Sequence, residues 1–82
     1  MPPAKVTLYT REGCHLCDEA KKVLDRARTR LPFDLEIQDV DQNPALCRLY
    51  NEEVPVIAIN GVKAFKYRLT EEEFLKKLQA RR

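Results

Sequence analysis

The sequence predicts an α/β fold with the element order β-α-β-α-β-β-α, in which a four-stranded mixed sheet is flanked by three helices. Short β-type runs alternate with stretches whose apolar residues recur at helical spacing. An Asn-Gly pair separates the last two β-type runs and predicts a hairpin, and a capping box opens the final helical stretch. We expect one domain over residues 1–82, because a chain of this length can build only one modest core.

The first half of the chain predicts a strand, a long helix and a second strand. Residues 6–9 form a β-type run, and the helix is expected to begin at Cys14. Its apolar positions are Leu16, Ala20, Val23, Leu24, Ala27 and Leu31. Residues 33–38 alternate apolar and polar side chains, which predicts a strand with one buried face near a sheet edge. A strand-helix-strand opening favours a parallel pair.

The second half predicts a short helix and then a hairpin. Asn43 is a candidate N-cap, and Pro44 suits the first helical position after it. The apolar stripe of this helix is formed by Leu46, Leu49 and Tyr50. Residues 54–59 are continuously apolar, as in a central strand that is covered on both faces. The Asn-Gly loop then predicts that this strand pairs antiparallel with residues 62–67.

The final helix has the clearest start in the sequence. Thr70 and Glu73 have the spacing of a capping box, and Leu69 and Phe74 are placed to form the hydrophobic staple across it. We therefore expect the helix to begin directly after Thr70.

Charge and hydropathy argue against two classes of partner. Fifteen Lys and Arg residues against thirteen Asp and Glu leave a net charge of +2, well short of the basic surface that nucleic-acid binding needs. The amino terminus lacks the pattern of a signal peptide, and the longest apolar run is far shorter than the ~20 residues of a membrane-spanning helix. We expect a monomeric, cytoplasmic protein without a nucleic-acid or membrane partner.

Two of the three cysteines form a Cys-His-Leu-Cys motif at the predicted start of the first helix. Amide N–H groups and the dipole at a helix N-terminus stabilise an anion, so they favour the thiolate form of Cys14. Residues i and i+3 of a helix are close enough for Cys14 and Cys17 to form a disulfide. The motif therefore predicts redox catalysis in which Cys14 attacks a substrate disulfide and Cys17 resolves the mixed disulfide.

Several segments together carry a family resemblance. The first half contains Leu8-Tyr9-Thr10-Arg11 and Cys14-His15-Leu16-Cys17-Asp18-Glu19-Ala20, and the second half contains Val54-Pro55-Val56 and Asn60-Gly61. In order and spacing, from about residue 6 to residue 78, the chain resembles the glutaredoxin-like proteins. The resemblance implies a thioredoxin-like fold and the reduction of protein disulfides or glutathione mixed disulfides without a bound cofactor. Glutathione or a reductase would be the electron donor.

The same resemblance implies several substrate-binding residues. Pro55 would be cis and face the cysteine pair, and the backbone of Val54 would pair with the bound substrate. Arg11 lies where glutaredoxins often carry a lysine that contacts a glutathione carboxylate. Thr70 is a candidate in the segment before the last helix, where glutathione-using members carry a Gly-Gly kink and a Cys-Asp pair that this chain lacks. Half of the glutathione site is thus missing, and glutathione is only a candidate co-substrate.

Other interpretations of the cysteines and of His15 stay open. The three cysteines and His15 could belong to a metal or iron-sulfur module, but tetrahedral zinc normally takes four ligands and only one Cys pair is present, so we predict no metal. The chain could also be a non-catalytic thioredoxin-like binding module. His15 is either a proton shuttle at the substrate site, a stabiliser of the Cys14 thiolate when it is charged, or an exposed loop residue. Cys47, in the second helix, is expected to be partly buried.

Overall fold

The computed structural model describes residues 4–50 and 52–81, and it confirms the predicted order of elements and the mixed four-stranded sheet. The strands are β1 (Lys5–Thr10), β2 (Asp34–Asp39), β3 (Val56–Ile59) and β4 (Val62–Lys66). The helices are α1 (His15–Arg30), α2 (Pro44–Tyr50) and α3 (Glu71–Arg81), with a 3-10 turn at Val40–Gln42 before α2. The strand order across the sheet is β2-β1-β3-β4, in which β1 and β2 are parallel and the other two pairs are antiparallel.

Successive residues of a strand point to opposite faces of the sheet, and different helices cover these two faces. Apolar residues of α1 and α3 share one core cluster with four strand residues, namely Val6, Leu8, Ile57 and Ile59. On the other face, the ring of Tyr9 packs against that of Tyr50 in α2, with their centroids 4.8 Å apart. All four residues of β3 are buried, as predicted for a central strand.

The hairpin has the predicted turn but shorter strands. Asn60 and Gly61 adopt φ values of 51° and 84°, as a two-residue loop between twisted strands requires. The prediction that β3 begins at residue 54 is wrong: it begins at Val56, because Pro55 has no amide hydrogen to donate to the ladder. β4 ends one residue early, since Tyr67 has a φ of 67° in the left-handed region and leaves the strand.

Two apolar residues that were predicted to face the core are exposed. Leu49 is 63% exposed, because the short α2 buries none of its residues and rests on the sheet through the half-buried Tyr50. Ile37 is 46% exposed, because β2 is an edge strand, as predicted, and Ile37 lies along an open groove. Within residues 4–50 and 52–81, no helix combines the length and the apolarity that crossing a membrane requires.

Candidate active site

A tight turn at the carboxyl end of β1 places Cys14 at the start of α1. The Cys14 amide donates to the carbonyl of Arg11 at 3.2 Å, which closes a four-residue turn. Gly13 has a φ of 78°, a left-handed conformation that glycine adopts readily and that strains most other residues. Cys14 is the N-cap of α1, with an extended backbone (φ −87°, ψ 110°). The helix therefore begins at His15, one residue later than predicted.

The two motif cysteines differ in exposure and are joined by a disulfide, with their Cα atoms 5.2 Å apart. Cys14 is half-buried, whereas Cys17 is only 2% exposed. The Cys14 Sγ accepts a hydrogen bond from the Cys17 amide at 3.1 Å. A reacting partner can reach Cys14 more easily than Cys17. When the disulfide opens, this amide and the helix dipole favour a thiolate at Cys14.

Val54 and Pro55 lie at the same end of the sheet as the turn that carries Cys14. Tyr9 pairs with Val56 across β1 and β3, so Pro55, which precedes Val56, lies at the end of the sheet where β1 finishes. The Val54–Pro55 bond is cis, as the family resemblance implies. The half-buried Val54 donates its amide to the carbonyl of the last residue of α2, at 3.2 Å. This amide is already bonded within the protein, and its pairing with a substrate stays a prediction.

An open groove of about 510 Å³ lies between the first half of α1 and the segment before α3, and we call it the first groove. It brings together two predicted substrate-binding residues, His15 and Thr70. The His15 side chain is 87% exposed, and its Nε2 lies 3.9 Å from a carboxylate oxygen of Glu19. The apolar part of the lining is formed by Leu16, Ala20, Val23 and Leu69. The remaining lining residues are mostly polar or charged, so the groove offers a ligand both apolar contacts and polar groups.

Thr70 also has a structural role, because its Oγ1 accepts a hydrogen bond from the Glu73 amide at 3.2 Å and caps α3 as predicted. We predict that Thr70→Ala lowers the free energy of unfolding by about 1 kcal/mol, since the amide loses its acceptor. Thr70→Ser keeps the hydroxyl and should change the stability little. Urea denaturation measures both variants. Equal stability of Thr70→Ala and the parent would contradict the capping role.

Arg11 is paired with an acidic residue that sequence analysis did not single out. Its Nε lies 3.1 and 2.9 Å from the two carboxylate oxygens of Asp41, and its Nη2 lies 2.8 Å from Oδ1. These hydrogen bonds raise the pKa of Arg11 and lower the pKa of Asp41. The same Nη2 lies 3.8 Å from the Sγ of Cys47, which is half-buried as predicted. The guanidinium that was expected to contact a substrate carboxylate thus forms an intramolecular ion pair, which is partly exposed.

The position of Asp41 follows from the sheet. β1 and β2 are parallel, so their carboxyl ends meet at one edge, and both Arg11 and the 3-10 turn follow those ends directly. The side chain of Asp39, the last residue of β2, accepts a hydrogen bond from the amide of Asp41 at 2.9 Å and stabilises the 3-10 turn. The predicted parallel pairing was a signal that could have placed Asp41 near Arg11, although thirty residues separate them.

A second open groove, of about 450 Å³, lies on the side of α1 that faces β2 and includes Cys17 in its lining. Its charged residues are Arg11, Glu12, Asp18, Lys21 and Asp39. Among the residues that the structure describes, no group of three or more His, Cys, Asp or Glu side chains is arranged to hold a metal ion.

The four-stranded sheet and the Cys-X-X-Cys pair at the start of α1 define a thioredoxin-fold protein. Residues 5–79 match the glutaredoxin-like domain family (DUF836), so the chain belongs to this family. A protein from Nitrosomonas europaea has a similar solution structure, with a TM-score of 0.82 and 34% identity over 94% of this chain and 93% of that one. For an X-ray structure from X. campestris the TM-score is 0.78 and the identity 29%, over 92% and 96% of the two chains. A thioredoxin from Methanocaldococcus jannaschii is 30% identical over 99% of each chain.

Proposed function

We propose that the protein is a thiol-disulfide oxidoreductase that reduces protein disulfides or mixed disulfides through Cys14 and Cys17. The observation that carries the proposal is the asymmetry of the pair: the more accessible Cys14 caps α1 and accepts the Cys17 amide, while Cys17 is 2% exposed. An attacking thiol must be reached by the substrate, and a resolving thiol needs only to reach the attacking sulfur. The full-length similarity to an archaeal thioredoxin supports the proposal.

In the proposed reaction the Cys14 thiolate attacks one sulfur of the substrate disulfide. The substrate S–S bond breaks, a Cys14–substrate disulfide forms, and the first substrate thiolate leaves and takes up a proton. Cys17 then loses its proton and attacks the Cys14 sulfur. The second substrate thiol is released, and the protein holds the Cys14–Cys17 disulfide. Two electrons pass from the dithiol to the substrate. Either glutathione or a reductase then supplies two electrons that reduce the Cys14–Cys17 disulfide again.

The predicted substrate-binding residues bear on the choice of substrate. His15 and Thr70 share the first groove, which borders the first turn of α1, and we expect a peptide segment of the substrate to lie there. Arg11 is held by Asp41, so it does not present an open guanidinium to a glutathione carboxylate. We therefore favour a protein disulfide as the substrate, with Pro55 and the Val54 backbone beside the attacking thiol.

Intact-mass measurement across a series of glutathione redox buffers tests the proposal. We expect the oxidised protein to be lighter than the reduced protein by two hydrogen atoms, reversibly, with a midpoint of about −270 to −200 mV as in thioredoxin and glutaredoxins. The couple should be lost in Cys14→Ser and in Cys17→Ser and kept in Cys47→Ser. A protein whose two motif thiols stay reduced in every buffer would contradict the proposal.

A further inference from the structure

The second groove beside the disulfide carries more acidic than basic side chains, whereas the charges of the first groove are nearly balanced. In the second groove three carboxylates accompany two cations, whereas in the first groove two carboxylates accompany one guanidinium and His15, and Glu19 also lies 3.9 Å from the Nζ of Lys22. The carboxylates are Glu19 and Glu73 in the first groove and Glu12, Asp18 and Asp39 in the second, and the cations are Arg68, Arg11 and Lys21. A substrate that reaches the disulfide along the second groove passes this negative charge.

Asp41 increases this imbalance because it compensates the cation that is closest in sequence to Cys14. Arg11 opens the turn that ends at Cys14 and lines the second groove. Both oxygens of Asp41 lie within 3.1 Å of its guanidinium nitrogens, in the two-point geometry that Arg also uses to bind a carboxylate ligand. An anionic substrate would have to displace Asp41 or bind beside it. Arg11 therefore offers such a substrate little net attraction.

We propose that the active site selects its substrates by charge, so that disulfides flanked by basic or neutral groups are reduced faster than disulfides flanked by carboxylates. Asp41 is a specificity-determining residue in this proposal, because it occupies Arg11. The inference rests on the proposed function and names the class of substrate. The partner is then a protein whose disulfide lies in a basic or neutral segment.

Three small symmetric disulfides of different charge test this selectivity. Cystamine carries two ammonium groups, bis(2-hydroxyethyl) disulfide is neutral, and 3,3′-dithiodipropionate carries two carboxylates. In each reaction the reduced protein gives two electrons and becomes the Cys14–Cys17 disulfide, and the small disulfide becomes two thiols. The rate constants are measured at 0.01 M and at 1 M salt, where the screening length falls from about 30 Å to about 3 Å.

Comparing the two salt concentrations makes each disulfide its own reference, so differences in leaving-group reactivity cancel. High salt should lower the rate for cystamine and raise it for dithiodipropionate, each by about two- to five-fold, with little change for the neutral disulfide. Dithiothreitol, whose thiolate has the same charge but no grooves, should respond less. A protein response equal to that of dithiothreitol, or opposite in direction, would overturn the proposal.

The variant Asp41→Asn tests the role of Asp41. We expect the rate ratio of dithiodipropionate to the neutral disulfide at low salt to rise about two- to five-fold, because Arg11 then presents its charge to an anion. A purely structural defect would slow both reactions together and leave the ratio unchanged. Glu36→Gln is the matched control, since Glu36 loses the same charge in an exposed ion pair with Lys5, at the start of β1.

The outcomes separate this inference from the proposed function. A rise in the ratio for Asp41→Asn but not for Glu36→Gln supports the specificity role. The same ratio in both variants overturns it, while reduction of the neutral disulfide still supports the oxidoreductase. If the reduced protein fails to reduce even the neutral disulfide, the proposed function fails and the charge selectivity fails with it.

Discussion

Cys14→Ser is expected to lower the rate of disulfide reduction by about three orders of magnitude or more, because the variant lacks the nucleophile of the first step. A serine hydroxyl stays protonated near neutral pH and cannot form the mixed disulfide. The measurement is the rate at which the reduced protein converts bis(2-hydroxyethyl) disulfide to thiol. Cys47→Ser is the matched control, because it removes a half-buried thiol outside the motif.

Cys17→Ser should fail at the second step instead of the first. Its Cys14 can still attack, so the disulfide of Cys14 with the small thiol should accumulate to about one per protein molecule, as read from the intact mass. The asymmetry of exposure predicts this division of labour, since the 2% exposed Cys17 reaches a substrate poorly but lies beside Cys14. An adduct that forms on Cys17 in Cys14→Ser at the same rate would show that the roles are not divided in this way.

Several of the features that the sequence predicted have a local cause. The hairpin follows from two adjacent residues, Asn60 and Gly61, that tolerate positive φ. The start of α3 follows from the hydroxyl of Thr70, which accepts a hydrogen bond from the amide of Glu73 three residues later. The position of Cys14 at the start of α1 follows from Gly13 and the apolar spacing of the helix after it. In each case the residues that determine the structure are within a few positions of one another.

The features that sequence did not predict depend on contacts between distant segments. The pairing of Arg11 with Asp41 joins two loops that only the parallel alignment of β1 and β2 brings together. Leu49 is exposed because the sheet covers little of α2, and the sequence of that helix does not indicate this. Arg11 illustrates the consequence for function: its position beside Cys14 was evident, but whether it is available to a substrate depends on a residue thirty positions away.

Phe74→Ala is expected to have the largest effect on stability, because its side chain is fully buried where α3 meets the sheet. Its ring contacts those of Phe33 and Phe65, at centroid distances of 5.3 and 6.3 Å. Truncation of a buried Phe costs about 3–5 kcal/mol. That is a large part of the about 5–15 kcal/mol that stabilises a typical domain.

Urea denaturation measures the loss of folding stability in Phe74→Ala. Leu49→Ala is the control, because Leu49 is apolar but 63% exposed. Its truncation should change the stability by less than about 0.5 kcal/mol. Similar losses in both variants would contradict the assignment of Phe74 to the core. The effect should extend to the site, because α3 begins next to Thr70 in the first groove. Phe74→Ala should therefore weaken groove-dependent substrate binding even at temperatures where the protein stays folded, whereas Leu49→Ala should not.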